Sequence, residues 1–430
     1  TLMNLTYTQF ISNRADRYGA ALCRESNATG GFGEYNNFTS NYAGISGAAL
    51  AWMRAENIYI DTYTFIDNTA DFSGGAIYVG VGSSNCTVFN CTFSGNNVTR
   101  YDEGHGGAIE WYADEGRVLN STFRNNNAYT GGAIYVGNAD QSNSGKINIT
   151  NSGFLNNHAY YIGGAIDLVA SDVAVNNSYF RENTALHGGA IFVGGSGENN
   201  YIYSSYFTNN NATNGRGGAV DWNMSSGHVY DSNFTENTAD YGGALYLAGH
   251  SSDSRISRVV FEKNVAVFNG GAIDANTGRV NLTHSEFISN VADYGAALCR
   301  EVNATGGFGD NNTFISNHAR IGGAALGWMG AVGISINNYK FFDNTADVYG
   351  GAIYVNPQSH NCTINNSVFR GNNITNETGG YGGAICWKGY DGAVSGCSFV
   401  NNLASAWGGA IYWNSDEGNV SGCSFRLGNA

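Results

Sequence analysis

Phe65-Ile-Asp-Asn68-Thr-Ala-Asp-Phe-Ser-Gly74-Gly-Ala-Ile77-Tyr-Val79 decides the fold, because it comes back. At 341–355 the chain reads Phe341-Phe-Asp-Asn344-Thr-Ala-Asp-Val-Tyr-Gly350-Gly-Ala-Ile353-Tyr-Val355. The first mark, Phe-x-x-Asn, occurs in fifteen full copies from Phe10–Asn13 to Phe399–Asn402, spaced 26 to 31 residues, and Phe425 opens a degenerate sixteenth. Between successive copies lies the second mark, Gly-Gly-Ala-Ile or a near variant, as at Gly131–Ile134, Gly188–Ile191 and Gly408–Ile411. A helical repeat of this length needs two amphipathic helices of ten or more residues each. These units are instead rich in Gly, Asn, Ser and Thr and broken into β-forming runs of four to six residues, which favours strand.

A unit of about 27 residues with two or three short strands is one turn of a parallel β-helix. The expected fold is all-β, a right-handed parallel β-helix solenoid of about 15–16 turns. Turns stack ~4.8 Å apart, so sixteen make a rod of roughly 75 Å. Stacking places identical residues above one another. The Phe column then forms a continuous aromatic core, and the Asn column hydrogen-bonds along the stack.

Alternation predicts facing. The residue after Gly-Gly-Ala-Ile runs Tyr78, Glu110, Tyr135, Asp167, Phe192, Asp221, Tyr246, Asp274 over eight consecutive turns. The next residue runs Val79, Trp111, Val136, Leu168, Val193, Trp222, Leu247, Ala275. Successive strand residues face opposite sides, so Ile and the Val/Trp position point inward and the Tyr/acid position points outward. Longer and shorter turns alternate along most of the chain, which makes a pair of turns the unit. Above that lies a 276–277-residue repeat: Ala20-Ala-Leu-Cys-Arg-Glu25 returns at 296–301, and Trp52-Met53 as Trp328-Met329. Residues 1–430 therefore read as a single β-helix repeat domain, with 10–286 and 287–430 related by duplication.

Composition agrees and narrows function. There are 61 Gly, 58 Asn and one Pro, while 42% of the chain is hydrophobic and 13% aromatic. That suits a chain with a large core that turns often through tight corners. A net charge of −14 with four lysines argues against nucleic acid or anionic membranes as partners. No apolar run approaches the ~18–20 residues of a membrane-spanning helix, so no direct membrane insertion is expected. Opening at Thr1 and stopping partway through a repeat, the chain reads as a mature product or a fragment of a longer one.

The paired marks resemble two groups of surface proteins: the polymorphic outer-membrane, autotransporter-like adhesins of chlamydiae, and the large adhesin-like β-helix proteins of methanogenic archaea. Phrases such as Asn68-Thr-Ala…Gly74-Gly-Ala-Ile77 and the density of sequons point toward the archaeal group. The resemblance implies an extracellular, cell-surface adhesin or structural fibre, with a filament or sheath subunit as a variant. Its partners would be other copies of itself or cell-surface glycans and proteins.

Parallel β-helices also carry polysaccharide lyases and hydrolases, so a catalytic constellation has to be sought. Such sites are singular, whereas here the acids recur with the repeat. Glu110, Asp167, Asp221 and Asp274 fall on alternate turns, about 9.6 Å apart, too far for a retaining carboxylate pair and just beyond the inverting range. The seven residues Tyr78, Glu110, Tyr135, Asp167, Asp221, Tyr246 and Asp274 form at most a shallow ligand stripe, tyrosines stacking on sugar rings and acids accepting from hydroxyls. An acid alternating with an aromatic also simply avoids stacking like charges. The best places for an irregular site are the insertions at 97–106, with Asp102, Glu103 and His105, and at 138–146. Histidines keep no ligand spacing, and no phosphate loop, calcium repeat or nucleophile elbow stands out. No catalytic residue, metal ligand or cofactor is expected.

Twenty Asn-x-Ser/Thr sequons read as acceptors for N-linked glycans on a secreted protein; Asn4, Asn27, Asn97, Asn148, Asn211, Asn223, Asn281, Asn303, Asn373 and Asn376 are the candidates. Eight cysteines are too few to form the scaffold. Cys397 and Cys423 each precede a repeat Phe by two residues in adjacent turns, so a disulfide between them is open to test. Cys23, Cys299 and Cys386 share the outward register.

Overall fold

A computed structural model describes residues 3–25, 32–137, 146–194, 199–223, 226–248, 253–276, 278–302 and 304–427. One turn shows how the sequence builds it. Tyr59–Asp61, Thr64–Ile66, Thr69–Ala70 and Ile77–Val79 are four short strands, and each pairs in parallel with its counterpart a turn away. Asn, Asp, Ser and Thr hold the corners. Thr62 (φ 56°) and Asp67 (φ 51°) flank the Phe65 strand, as Asn120 and Asn125 flank Phe123. The left-handed region is costly for most residues and least so for Asn and Asp among those with a side chain. That accounts for much of the Asn content. The third corner is Gly74 (φ 55°), where an added Cβ would lie 2.3 Å from the Ile77 carbonyl oxygen.

The chain divides into two compact units, Thr1–Thr213 and Asn214–Ala430. In the first unit, four parallel sheets of eight, eight, eight and seven strands run through the described residues; in the second the corresponding sheets have eight, eight, six and eight. Each unit is a parallel β-solenoid, and no α-helix occurs among the described residues. Among the described residues no helix is long and apolar enough to cross a membrane.

The core follows the expected registers. Phe38, Phe65, Phe93, Phe123, Phe154 and Phe180 are buried and stack ring on ring, with centroids 4.6–5.1 Å apart. Trp52, Trp111, Trp222, Trp328 and Trp387 are fully buried in the inward register of the Gly-Gly-Ala-Ile strand. The Asn column is also as expected. Asn157 Nδ2 donates to Asn183 Oδ1 (3.0 Å) and to the Phe123 carbonyl (3.1 Å), and its own Oδ1 accepts from Asn126 N (3.1 Å) and Nδ2 (2.9 Å). Asn264, Asn290, Asn317 and Asn344 repeat this in the second unit.

Candidate functional site

The seven stripe residues share one register as read. Glu110, Tyr135, Asp167 and Phe192 pair in succession, and so do Asp221, Tyr246, Asp274 and Cys299. Their facing is as read, but their exposure needs correcting. They point away from the bore, yet Glu110 (3% exposed), Asp167 (1%), Asp221 (0%), Asp274 (0%) and Tyr246 (4%) are buried. Tyr78 and Tyr135 are half-buried. What covers them is the residue before each Gly-Gly pair. These residues line up as Ser46, Ser73, His105, Thr130 in one unit and Arg216, Tyr241 in the other. The left-handed first glycine turns the chain so sharply that this column folds back over the outer face of the strand.

The lid is polar, and each acid meets it differently. The Ser73 hydroxyl donates to Glu110 Oε2 and the Tyr112 hydroxyl to Oε1 (3.0 Å). His105 Nδ1 bonds the Thr130 hydroxyl (2.9 Å) while its ring stacks on Tyr135 at 4.4 Å. Thr130 in turn supports Asp167, whose Oδ1 has no hydrogen-bond partner. Arg216 lies over the Tyr246 ring (4.7 Å) with Nη2 3.4 Å from Asp221 Oδ2. Burial pushes Glu110, Asp167 and Asp221 up to about 7 each; hydrogen bonds from Ser73 and Tyr112, Thr130, and the charge of Arg216 respectively pull back only part of that rise. Asp274 is raised well above the usual carboxylate range, first by burial and then by the Glu301 carboxylate beside it. Such groups are acids closed off from solvent, and alternation with aromatics keeps them from stacking on one another.

The other candidates scatter. Asp102 and Glu103 sit on the surface, each 3.1 Å from Arg100. Residues 138–145 of the second insertion lie outside the described residues. Tyr78 borders a shallow open hollow of ≈ 350 Å³ with Glu25, Met53, Arg54, Gly80 and Val81. Among the described residues no group of three or more His, Cys, Asp or Glu is placed to hold a metal. Asn4, Asn148 and Asn376 are exposed, and Asn97, Asn211, Asn223, Asn281 and Asn373 half-buried. Asn27 and Asn303 lie outside the described residues. Cys397 and Cys423 stack as expected but are free thiols, the Cys397 N–H reaching Cys423 Sγ at 3.4 Å. Cys23 is exposed, whereas Cys299 and Cys386 share the burial of the acid register. Sequence reasoning missed Arg24 and Arg300, which occupy the inward Val/Trp register; counting two residues on from Leu22 and Leu298 would have found them.

Three stretches, 62–80, 338–356 and 396–412, match the Chlamydia polymorphic membrane protein repeat. It is a parallel β-helix repeat protein. Of the two groups the sequence resembles, the match supports the chlamydial one and not the archaeal. The β-helix chain is 31% identical over 150 residues to the probable autotransporter YfaL of Escherichia coli (strain K12). That alignment takes in 33% of this chain and 12% of the relative, so the β-helix spans a small part of the curated protein it matches. Among solved structures, PfbA, a surface adhesin of Streptococcus pneumoniae, aligns at 12% identity and a TM-score of 0.32, over 85% of this chain and 83% of that one. The Agl-KA catalytic domain aligns at 14% and 0.31 (93% and 62%). The tailspike protein of E. coli bacteriophage HK620 aligns at 12% and 0.31 (92% and 72%).

Proposed function

We propose that this chain is a non-catalytic stretch of a cell-surface β-helix protein, adhesin-like, that serves attachment through a long repetitive face. The burial of Glu110, Asp167, Asp221 and Asp274 carries the reading. These are the carboxylates that recur with the repeat on the Gly-Gly-Ala-Ile strand, and all four are closed off from solvent. An enzyme needs one preorganised constellation open to substrate. What meets solvent instead is a repeating polar surface, suited to many weak, equivalent contacts that gain strength by multivalency. The polymorphic-membrane-protein match and the autotransporter relative support the surface location. Partners are then surface glycans or proteins, or further copies of the chain, and the exposed sequons Asn4, Asn148 and Asn376 are the first places to look for N-glycans.

Incubating the purified chain with a panel of polysaccharides and intact cells tests this. Retention without turnover supports it. Depolymerisation abolished by one substitution, for example Asp167→Asn, overturns it.

A further inference from the structure

Arg300 is the one arginine of the second unit that points into the bore, and it is 3% exposed. It takes the register place that Ala275 holds one turn before and Trp328 one turn after. Two of its nitrogens reach backbone carbonyls, Nη2 to Gly306 (2.7 Å) and Nη1 to Val280 (3.4 Å), and Nε has no hydrogen-bond partner. No carboxylate among the described residues forms an ion pair with it. Burial draws its pKa down to about 10, so it still carries its charge at neutral pH. An enclosed cation with only carbonyl dipoles around it calls for a countercharge.

There is room for a small one. Gly309 stands in a column where its neighbours are Leu282 and Ile336. A cavity of ≈ 20 Å³ is bordered by Arg300, Gly309, Tyr339, Trp328, Leu298 and Ile336. The Tyr339 hydroxyl reaches into the same place, since a Cβ on Gly309 would lie 1.7 Å from it. That volume suits about one water-sized body, which excludes carboxylates and oxyanions. The available side-chain groups, a guanidinium and a phenol, are donors.

We propose that the bore beside Arg300 is a binding site for a halide-sized monovalent anion, held by the Arg300 guanidinium and the Tyr339 hydroxyl. A halide differs from a water in supplying the missing charge, and that difference is measurable.

The test is thermal unfolding of the full chain in sodium bromide or chloride against sodium gluconate, whose anion is too large, at constant ionic strength. Halide should raise the midpoint by a few degrees in a saturable way. The variant Arg300→Met should lose that dependence. Should it fail to fold, Tyr339→Phe keeps the charge and should shift saturation to roughly tenfold higher halide. Crystals grown in bromide should show an anomalous peak beside Arg300 Nε. Equal midpoints in halide and gluconate overturn the proposal and leave water in the cavity. A crystal peak without the solution effect overturns it too, as an adventitious ion only.

Discussion

The Phe-x-x-Asn corner and the Gly-Gly-Ala-Ile strand both bury polar side chains on every few residues of stacked chain, and they solve the problem in opposite ways. Asn157 is repeated above and below without change, because an amide donates and accepts and so satisfies its own copy. A carboxylate cannot do this. In the other column, Glu110 and Asp167 are separated by Tyr135, and Asp221 and Asp274 by Tyr246. A self-complementary side chain can recur on every turn; one that repels its copy must alternate with a spacer and borrow partners from elsewhere, here from the corner before Gly-Gly.

The comparison can be broken most severely at the ladder. Asn157→Ala leaves the Asn126 N–H and one Asn126 amide hydrogen without partners and takes one of the hydrogen bonds from the Phe123 carbonyl. The expected loss is about 3–6 kcal/mol, concentrated in adjoining turns because solenoid repeats couple to their neighbours. Hydrogen exchange resolved by segment checks both size and locality; unchanged protection around residues 123–183 would mean the ladder is incidental.

Removing the spacer comes next. Tyr135→Asp puts carboxyls on three consecutive turns ~4.8 Å apart, at a cost of about 3 kcal/mol or more at pH 8. Most of that loss should vanish at pH 4, where the carboxyls are protonated, and denaturant melts at the two pH values measure it.

Neutralising one acid should do the reverse. Asp167 has an ordinary value of 3.8 and is held near 7 in the fold. Between those values the folded chain keeps a proton that the unfolded chain has released, so stability falls as pH rises from about 4 and levels off above about 7. Asp167→Asn should flatten its share of that slope and add about 1–3 kcal/mol at pH 8. A variant less stable than the parent at pH 8 would show that the carboxylate is better solvated than its burial implies. The smallest effect belongs to the surface: Arg100→Ala separates Asp102 and Glu103 from their cation and should change the melting free energy by no more than about 0.5 kcal/mol.

Much of this architecture was legible without coordinates. The Phe and Asn marks gave strand positions, stacking and the buried Trp register, because a residue repeated at constant spacing in parallel strands must stack. The roof over the acid column was not legible, since alternation says which side of a strand a residue faces and nothing about what lies over that side. A signal was nonetheless present: Ala51, Cys299 and Gly327 share the acids' register, and such small residues are poor choices for an open ligand stripe. The residues before Gly-Gly, Ser73, Thr130 and Arg216, were also of the type that caps an acid. Arg300 escaped for a different reason, since an arginine inside a solenoid contradicts the rule that fills a core.

The Asn column also has a direction. Among the described residues, successive amides inside each unit donate to the counterpart in the following turn and accept from the one before, as in Asn41 to Asn68 to Asn96 and Asn317 to Asn344 to Asn372. The side-chain dipoles therefore point the same way, and each polarises the next. A column of this kind is a one-way strip with an accepting face at one end and a donating face at the other. Only a turn arriving in the same orientation can lengthen it; one presented upside down would set oxygen against oxygen or amide against amide.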